Sequence, residues 1–296
     1  MNKHFGFVGF GEAAFNICKG FKEEGIKGVK AFDVLLVNEK GEEVVKKRLL
    51  ETNVEPVNSI KELVNSCEII FLAVPAKFAK DVAENVLNFI TKDKILIDIT
   101  TNRPNIKKEI GDTYQGKDML YVDASVMGAV PLYKHKTPTL VCGNGAKKMV
   151  DILTPIGMDL TYVGEEAGRA VMMKLTRSIF IKGVEALTLE MLLTAKKLGI
   201  EKEIMEGLHK SFEIQGFTKM VGQLVISNLV HSKRRAVEAE ECAELEKELG
   251  FDPIMIEAAQ KKLEWSATLG FSQLEESKNC KTLQDLYEIW ENNKLC

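Results

Sequence analysis

The stretch Phe5-Gly-Phe-Val-Gly-Phe-Gly-Glu-Ala-Ala14 decides the fold of the first half of the chain. Its first four residues are mostly apolar and predict a short buried strand. A turn with two glycines, Gly9 and Gly11, follows, and apolar residues then recur at helical spacing as far as Phe21. A strand, a glycine turn and a helix in direct succession are typical of the first unit of a doubly wound α/β domain.

The rest of the first half repeats this alternation of strands and helices. Strands are predicted at 29–33, near Val54, and at 68–74, 94–98, 119–123 and 139–142, and helices at 44–50 and 77–89. Strands as apolar as these have both faces covered, as in a parallel sheet flanked by helices. We therefore expect a Rossmann-type dinucleotide-binding domain over residues 1–163.

The pattern changes near Val163. A helical stretch without proline runs from Glu165 to Leu198, and Gly199 follows it as a helix stop. The remaining sequence is rich in Glu, Lys, Leu, Met and Ala. It predicts an all-α domain over residues 164–296.

Composition excludes several classes of protein. The chain has 296 residues, of which 45% are hydrophobic and 28% charged, with a net charge of −3. These values fit a globular protein of two domains at about 100–200 residues each, and they give no reason to expect nucleic acid or a membrane as partner. The longest apolar run, 69–76, is shorter than the ~20 residues of a spanning helix.

The six cysteines lie far apart and include no C-x-x-C pair. This spacing is typical of free thiols in a reducing compartment and offers no zinc framework. The apolar stretch that begins at Phe5 leaves no room for a secretion signal ahead of it. We expect a cytoplasmic protein without a catalytic metal, since the histidines also lack metal-ligand spacing.

The turn has the form G-x-G-x-x-A and predicts a dinucleotide site. Gly9 permits the tight turn, Gly11 lets a pyrophosphate approach the main chain, and Ala14 keeps the helix close to the strand. The helix start then offers free N–H groups and the positive end of its dipole. The expected cofactor-binding residues are Gly9, Phe10, Gly11, Glu12, Ala13 and Ala14. A plain glycine turn without a ligand is the alternative.

Asp33 lies 22 positions after Gly11, at the end of the second strand. An acidic residue at this place accepts hydrogen bonds from the ribose hydroxyls and repels a 2′-phosphate. No arginine lies nearby in the sequence to bind such a phosphate. We therefore predict NAD as the cofactor in preference to NADP.

Four segments in order along the chain resemble the β-hydroxyacid dehydrogenase superfamily. More closely, the chain is similar to 6-phosphogluconate-dehydrogenase-like NAD-binding proteins with a compact helical carboxy-terminal domain. The segments are Gly9-Phe-Gly-Glu-Ala-Ala14, Asp98-Ile-Thr-Thr-Asn-Arg-Pro104, Asp123-Ala-Ser-Val-Met-Gly-Ala129, and Gly164 through Gly168 to Lys174. The run His231-Ser-Lys-Arg-Arg-Ala-Val-Glu238 is similar to the same subgroup.

The resemblance implies hydride transfer between a nicotinamide and a small hydroxy acid, in the cleft between the domains. Val74 and Pro75 match the loop that passes the cofactor ribose. Thr100 matches a residue near the cofactor, and Thr101 one near the substrate. The substrate loop of relatives often has the form D-x-P-V-S-G-G. Ser125 and Met127 stand here in place of its proline and serine. The candidate substrate-binding residues of this loop are Ser125, Met127, Gly128 and Ala129.

The resemblance also implies that Lys174 is the catalytic lysine. Ser178 occupies the place of the asparagine that usually lies one turn later. Oxidation of an alcohol needs a group that takes the hydroxyl proton, and a solvated lysine, with a pKa of about 10.4, is a poor base. Burial and nearby cations would lower that pKa. The alternative is an ordinary solvated lysine.

A second group of polar residues follows on a helix expected over 221–249. His231 and Arg235 lie on one stripe of it. Arg235 or Arg234 is a candidate to bind a substrate carboxylate by two hydrogen bonds, with His231 beside it as a further substrate-binding residue. A surface pair between Arg235 and Glu238 is the alternative. Ser232, Ala236, Ala239 and Ala243 form an adjacent stripe of small residues that permits close helix packing.

The sequence thus predicts an NAD-dependent oxidoreductase that acts on a CH–OH group of a small hydroxy acid, with Lys174 as acid and base. Two alternatives stay open. One is imine reduction on the same fold, although imine-reducing relatives tend to have a different residue at the place of Lys174. The other is a cofactor-binding sensor or scaffold without turnover. A homodimer is expected, as is common in the resembling family.

Overall fold

Eight strands form one sheet in the computed structural model, which describes residues 4–36 and 42–295. They are β1 (Phe5–Val8), β2 (Lys30–Phe32), β3 (Glu55–Pro56), β4 (Ile69–Leu72), β5 (Ile95–Asp98), β6 (Leu120–Val126), β7 (Thr139–Cys142) and β8 (Leu160–Gly164). Their order is β3-β2-β1-β4-β5-β6-β7-β8, and every neighbouring pair is parallel except β6 and β7. The predicted doubly wound sheet is confirmed.

Helices connect the strands and make up the rest of the chain. Those of the sheet region are α1 (Glu12–Glu23), α2 (Glu42–Thr52), α3 (Ile60–Ser66), α4 (Ala79–Leu87), α5 (Pro104–Gln115), α6 (Val130–Tyr133) and α7 (Ala146–Leu153). The later ones are α8 (Arg169–Leu198), α9 (Glu201–Gln215), α10 (Phe217–Glu248), α11 (Ile254–Thr268), α12 (Glu275–Asn279) and α13 (Leu283–Asn292). The predicted helical second half is confirmed.

The central strands β1, β4 and β5 are buried along their whole length. Alternate residues face opposite sides of the sheet, so each side has its own apolar cluster. Phe7 and Phe71 stack on one side with ring centroids 4.7 Å apart, and Val8, Ile70 and Leu72 pack on the other. Burial on both faces is why these strands are apolar without alternation.

The order of the strands reverses between β1 and β4. Open sheets of this kind bind ligands beyond the carboxyl ends of their strands at such a reversal. The main chain joins the segments at that edge: Gly9 N–H donates to Phe32 O, and Ala73 N–H donates to Val8 O. The fold therefore collects the loops that follow β1, β2 and β4 at one place.

The long helix α8 begins later than the expected residue 165. Gly168 has a φ of +97°, and a Cβ on it would lie 2.7 Å from Pro104 O, so its conformation is left-handed and not helical. The helix starts at Arg169 and ends before Gly199, whose φ is +74°. The predicted end at Leu198 is confirmed, and the predicted start was four residues too early.

The chain divides into two compact units, one up to Ile179 and one from Phe180 onwards. This division lies within α8, after the boundary expected at residue 163. The reason is that the first turn of α8 belongs to the sheet unit: Ala170 and Val171 are fully buried, and Val171 N–H donates to the Asp123 carboxylate. Among residues 4–36 and 42–295, no helix has the length and apolar content that a bilayer crossing requires.

The second unit is built on α10. The predicted stripe of small residues, which is Ser232, Ala236, Ala239 and Ala243, is buried. Small side chains let a second helix approach closely, and α11 packs along α10. An apolar cluster of this unit consists of Leu229, Phe271, Leu286 and Ile289 with partly buried neighbours.

Candidate active site

The two glycines of the turn differ in what surrounds them. Gly9 has a φ of +88°, and a Cβ on it would lie 2.5 Å from Ala73 O. No side chain fits there, because the next loop of the sheet edge occupies that space. A Cβ on Gly11 would meet no atom of residues 4–36 or 42–295 within 4 Å. The space in front of Gly11 is therefore open, as a pyrophosphate needs.

Helix α1 begins directly after Gly11, and no side chain of the described residues caps its amino-terminal end. Its first N–H groups and dipole are available to an anion. Glu12 is exposed in the first turn, Ala13 is half-buried and Ala14 is fully buried. Phe10 points into the core with no exposed surface, so only its main chain can face a ligand. This geometry fits a dinucleotide pyrophosphate.

Asp33 follows β2 and is nearly buried. Its Oδ2 accepts a hydrogen bond from Phe10 N–H at 2.7 Å, and its Oδ1 accepts one from Leu35 N–H at 2.9 Å. These bonds fix the carboxylate beside the glycine turn. Each oxygen retains a further lone pair for a ribose hydroxyl.

Arg48 corrects the expectation that no arginine is near Asp33. The fold brings α2 against the turn, and Arg48 Nη1 donates to Phe10 O at 3.4 Å. Phe10 therefore contacts both side chains through its main chain. Its N–H donates to Asp33, and its carbonyl oxygen accepts from Arg48. Arg48 was missed because it lies 15 positions after Asp33 and belongs to no glycine-turn motif.

The loops after β4 and β5 contain the other expected cofactor residues. Val74 lies against Gly9, since its Cγ1 would be 2.9 Å from a Cβ there, and Pro75 is exposed. Thr100 is buried, and both its N–H and its hydroxyl donate to Asp98 Oδ1, at 2.9 and 2.7 Å. Thr100 therefore stabilises the loop, and its hydroxyl can still accept a hydrogen bond.

Lys174 lies one turn into α8 and contacts the loop after β5. Its Nζ donates a hydrogen bond to Thr101 Oγ1 at 2.9 Å. Burial lowers the pKa of this amine below its ordinary value, and the ammonium of Lys107 lowers it further, while the carboxylate of Asp123 opposes the effect. The structure thus joins two residues that the sequence placed in one site.

Ser178 lies one turn after Lys174 on the same helix. Its Oγ donates to Lys174 O at 2.8 Å, a bond within the helix. The hydroxyl keeps its capacity to accept a hydrogen bond from a ligand. Lys182, a further turn on, forms an exposed pair with Glu185 at 2.7 Å.

The predicted substrate loop follows β6. Ser125 is buried within that strand, and its Oγ has no hydrogen-bond partner among the described residues. Met127 is half-buried, and Gly128 and Ala129 are exposed. Arg177, which the sequence did not single out, donates from Nη1 to Met127 O at 3.3 Å. Its position three residues after Lys174 placed it on the adjacent part of the helix surface.

Lys107 is the third residue that was missed, and the sequence carried a signal for it. It is fully buried on α5 with Ile110, Gly111 and Tyr114, at the spacing of one helix face. A lysine at a core position of an amphipathic helix indicates a buried charge with partners. Those partners are the carboxylates of Asp98 and Asp123.

His231 and Arg235 lie in the second unit. His231 is exposed, and the Arg235 guanidinium donates to Leu224 O at 3.0 Å and Ser227 Oγ at 2.8 Å. The surface pair with Glu238 is formed by Arg234, at 2.7 Å, and not by Arg235. Arg235 lines a cavity of about 730 Å³ whose walls include Leu224, Leu263, Trp265 and Trp290.

The turn, the acidic residue after β2 and the sheet order together match a known family. The profile of the NAD binding domain of 6-phosphogluconate dehydrogenase matches residues 4–164. The chain belongs to this family. Its amino-terminal domain is an NAD-binding domain, which confirms the cofactor expected from the glycine turn and the resemblance stated from the sequence. A second family model, a domain of unknown function (DUF1932), matches residues 195–266 of the chain.

Several proteins are similar over nearly the whole chain. An uncharacterized 28.5 kDa protein of Methanothermus fervidus, from the 7S RNA 5′ region, is 28% identical over 86% of this chain and 95% of its own length. A conserved hypothetical protein from Sinorhizobium meliloti is 28% identical with a TM-score of 0.61, over 89% of this chain and 88% of that one. An imine reductase variant from Myxococcus stipitatus, solved with NAD+, is 17% identical with a TM-score of 0.72, over 92% and 96%. At 17% identity, the similarity to the imine reductase shows a shared fold only.

Proposed function

We propose that this protein transfers a hydride between NAD and a small β-hydroxy acid, or the corresponding carbonyl compound. One observation carries the proposal: the Lys174 amine contacts Thr101 at 2.9 Å, in the loop that follows a central strand of the NAD-binding sheet. The family supplies the class of chemistry, which is NAD(P)-dependent oxidation and reduction. The amine supplies a proton acceptor at the edge where that cofactor is expected.

Lys174 is proposed as the acid and base. NAD, when bound, accepts or gives the hydride at its nicotinamide ring. As the substrate C–OH becomes C=O, the neutral amine of Lys174 takes the hydroxyl proton, and in the reverse direction its ammonium returns that proton to the alkoxide oxygen. Because the pKa of Lys174 is lowered, a larger fraction of this amine is neutral at a given pH than of a solvated lysine. A base tuned in this way contributes about 10²–10⁴-fold to the rate.

Two arginines are candidates to hold the substrate carboxylate. Arg177 lies on the same helix as Lys174 and already contacts the predicted substrate loop at Met127. Arg235 has two of its five donors occupied and lines the apolar cavity of the second unit. A guanidinium binds a carboxylate by two parallel hydrogen bonds. The remaining proposed substrate contacts come from the loop after β6: Ser125, whose hydroxyl has no partner among the described residues, Gly128 and Ala129. Ser178 is proposed to orient the substrate.

Oxidation of short β-hydroxy acids tests the proposal directly. Purified protein with NAD and a panel of such acids should show rising absorbance of reduced nicotinamide, and NADH with the β-keto acids should show the reverse. NAD binding is confirmed separately by the rise of Tm with cofactor. If NAD binds and no acid or keto acid reacts, the proposal is wrong and a sensor or scaffold role is favoured.

Imine reduction is the second candidate, favoured by the likeness of fold to the imine reductase. The two reactions differ in the proton that they require. Oxidation of a hydroxy acid needs a proton acceptor, whereas reduction of an imine, like that of a β-keto acid, needs a proton donor. The substrate therefore decides between the two candidates: NADH should reduce the β-keto acids if the first proposal holds, and a panel of cyclic imines if the second one does.

A homodimer is proposed from the surface of α8. This helix exposes large apolar side chains on several sides, among them Met172, Ile179, Leu189 and Leu193, with exposed fractions of 54%, 77%, 63% and 49%. Exposed apolar surface of this extent marks an interaction site. Light scattering should give twice the 33.1 kDa mass of one chain, and Leu189→Glu should give the monomer.

A cytoplasmic location is proposed from cysteine chemistry. The cysteines of the described residues, Cys18, Cys67, Cys142, Cys242 and Cys280, are all free thiols. Free thiols of this number persist in a reducing compartment. Fractionation of the source cells with detection by antibody tests this location.

A further inference from the structure

Lys107 forms a buried cluster with two carboxylates under the proposed site. The side chains of Lys107, Asp98 and Asp123 have no exposed surface. Lys107 Nζ lies 2.9 Å from Asp98 Oδ1 and 3.4 Å from Asp123 Oδ1, and it also donates to Asp98 O at 3.0 Å. Burial of three charged groups is costly, and apolar residues of similar volume are often as stable or more so. Fold stability alone therefore does not account for a lysine here.

The cluster is connected to both ends of the Lys174–Thr101 contact. Asp98 accepts two hydrogen bonds from Thr100, the residue before Thr101. The other carboxylate, Asp123, accepts N–H bonds from Gly168 and Val171, at 3.1 and 3.2 Å, at the start of α8. Lys107 holds the two carboxylates, so it fixes the loop and the helix that together position the amine.

Two charged groups of the surrounding elements act on the Lys174 amine. Lys107, from α5, carries a positive charge that opposes a proton on this amine, and Asp123, from β6, carries a negative charge that favours one. The amine is also half-buried, which disfavours its charged form. Burial and the Lys107 ammonium act in the same direction and outweigh Asp123, so the pKa of Lys174 is lowered.

We propose that Lys107 is a positioning residue for the reaction: its buried ammonium fixes Asp98 and Asp123, and with them the loop and the helix end that bring Lys174 to Thr101, and its positive charge disfavours a proton on the Lys174 amine. This inference rests on the proposed role of Lys174 as the base. It adds a reason for three buried charged groups in a place where three apolar residues would fold as well. No step of the hydride transfer passes through Lys107 itself.

Chemical labelling of Lys174 tests this inference without any turnover. Acetic anhydride acylates only neutral amines, and mass spectrometry of the peptide that contains Lys174 gives its labelling rate at each pH. At pH 8, Lys107→Met should lower the rate at Lys174 by about threefold or more, because the amine then binds a proton more tightly. Lys108→Met is the matched control: Lys108 is the next residue on α5 and is exposed, and its removal should leave the rate unchanged.

If Lys107→Met does not fold, a second variant and the unaltered protein still test the inference. The double variant Lys107→Met, Asp98→Asn removes one charge of each sign and should also slow the labelling of Lys174. In the unaltered protein, Lys174 should label faster at pH 8 than the exposed Lys182. Equal labelling of Lys174 and Lys182, or a folded variant with the unaltered rate, overturns the inference. A lowered rate in the variants, combined with no turnover of any hydroxy acid, overturns the proposed function and leaves the effect of Lys107 on Lys174 established.

Discussion

Lys174 Nζ donates a hydrogen bond to Thr101 Oγ1 over 2.9 Å, although the two residues are 73 positions apart in the chain. The contact joins the second turn of α8 to the loop after β5, at the carboxyl edge of the strands, where open sheets of this kind bind ligands. The amine is half-buried, and its pKa is lowered chiefly by that burial. The hydrogen bond to Thr101 and the lowered pKa of the Lys174 amine are the basis of the proposed acid–base chemistry.

The two glycines of the turn should respond differently to alanine. Gly11→Ala adds a Cβ that meets no atom of the part of the chain that the structure describes, so stability should change by less than about 1 kcal/mol, while NAD should no longer raise Tm. Gly9→Ala should cost more than about 1 kcal/mol, because its φ is +88° and Ala73 O lies 2.5 Å from the new Cβ. Thermal unfolding with and without NAD measures both effects. Retained NAD binding in a folded Gly11→Ala variant would contradict the pyrophosphate assignment.

Asp33 and Arg48 should together set the choice between NAD and NADP. Asp33→Asn removes the charge that repels a 2′-phosphate, and the guanidinium of Arg48 is held at the same turn through Phe10 O. The variant should bind NADP at least about tenfold more tightly than the unaltered protein does. Adding Arg48→Ala should remove that gain. Titration calorimetry with both cofactors provides the measurement, and an unchanged preference in both variants is the contrary result.

Much of this fold was predictable because local patterns decide it. The strand, glycine turn and helix at 5–21 and the apolar strands follow from short-range periodicity, as does the end of α8 at Leu198. The start of α8 was misjudged, since Gly168 takes its left-handed conformation from close packing against Pro104 O, which is distant in sequence.

The site was predictable only in part. Lys174 and Thr101 belong to segments that resemble a family, and Asp33 lies at the expected spacing after the glycine turn, so the sequence could single out all three. Arg48 was not, because its contact with Phe10 depends on how α2 packs after β2. Similarly, only the fold shows that the Thr100 hydroxyl donates a hydrogen bond to Asp98. Long-range packing decided these contacts.

His135 should make stability depend on pH. The imidazole is buried against the Phe21 ring, and that burial lowers its pKa, while Glu24 opposes the shift. The unfolded chain, with an ordinary pKa near about 6.5, binds a proton more readily than the folded protein does. The free energy of unfolding should therefore fall as pH decreases below about 6.5.

The variant His135→Phe should remove this pH dependence between about pH 6.5 and 5. Urea unfolding at several pH values measures it. His209→Phe is the matched control, since His209 is exposed and pairs with Glu213 on the surface of α9. Identical pH slopes for unaltered protein and His135→Phe would show that the buried imidazole does not titrate between the folded and unfolded states.

Removal of the negative charge of the Glu246 carboxylate should stabilise the second unit. Its Oε1 accepts a hydrogen bond from Thr194 at 2.9 Å, and its buried Oε2 has no partner among the described residues. Burial raises the pKa of this carboxyl, and the nearby Glu190 raises it too. Because the folded state binds the proton more tightly than the unfolded one, Glu246 costs stability increasingly as pH rises above about 4.5.

Glu246→Gln keeps the acceptor for Thr194 and removes the charge. It should raise the free energy of unfolding by about 1 kcal/mol at pH 8 and by less at pH 5. Glu244→Gln, at an exposed residue that pairs with Lys247, should not stabilise. Chemical denaturation at the two pH values gives the comparison. A loss of stability in Glu246→Gln at pH 8 would mean that the charged form is favoured in the fold.

The most direct measurement is the turnover of the Lys174→Met variant with the β-hydroxy acid that the unaltered protein oxidises best. Lys182→Met, an exposed site on the same helix, is the control and should keep full activity. Loss of the proton acceptor should lower kcat by about 10²–10⁴-fold while the rise of Tm with NAD is unchanged. A loss of less than about tenfold, with NAD binding intact, would contradict the role of Lys174 as the base.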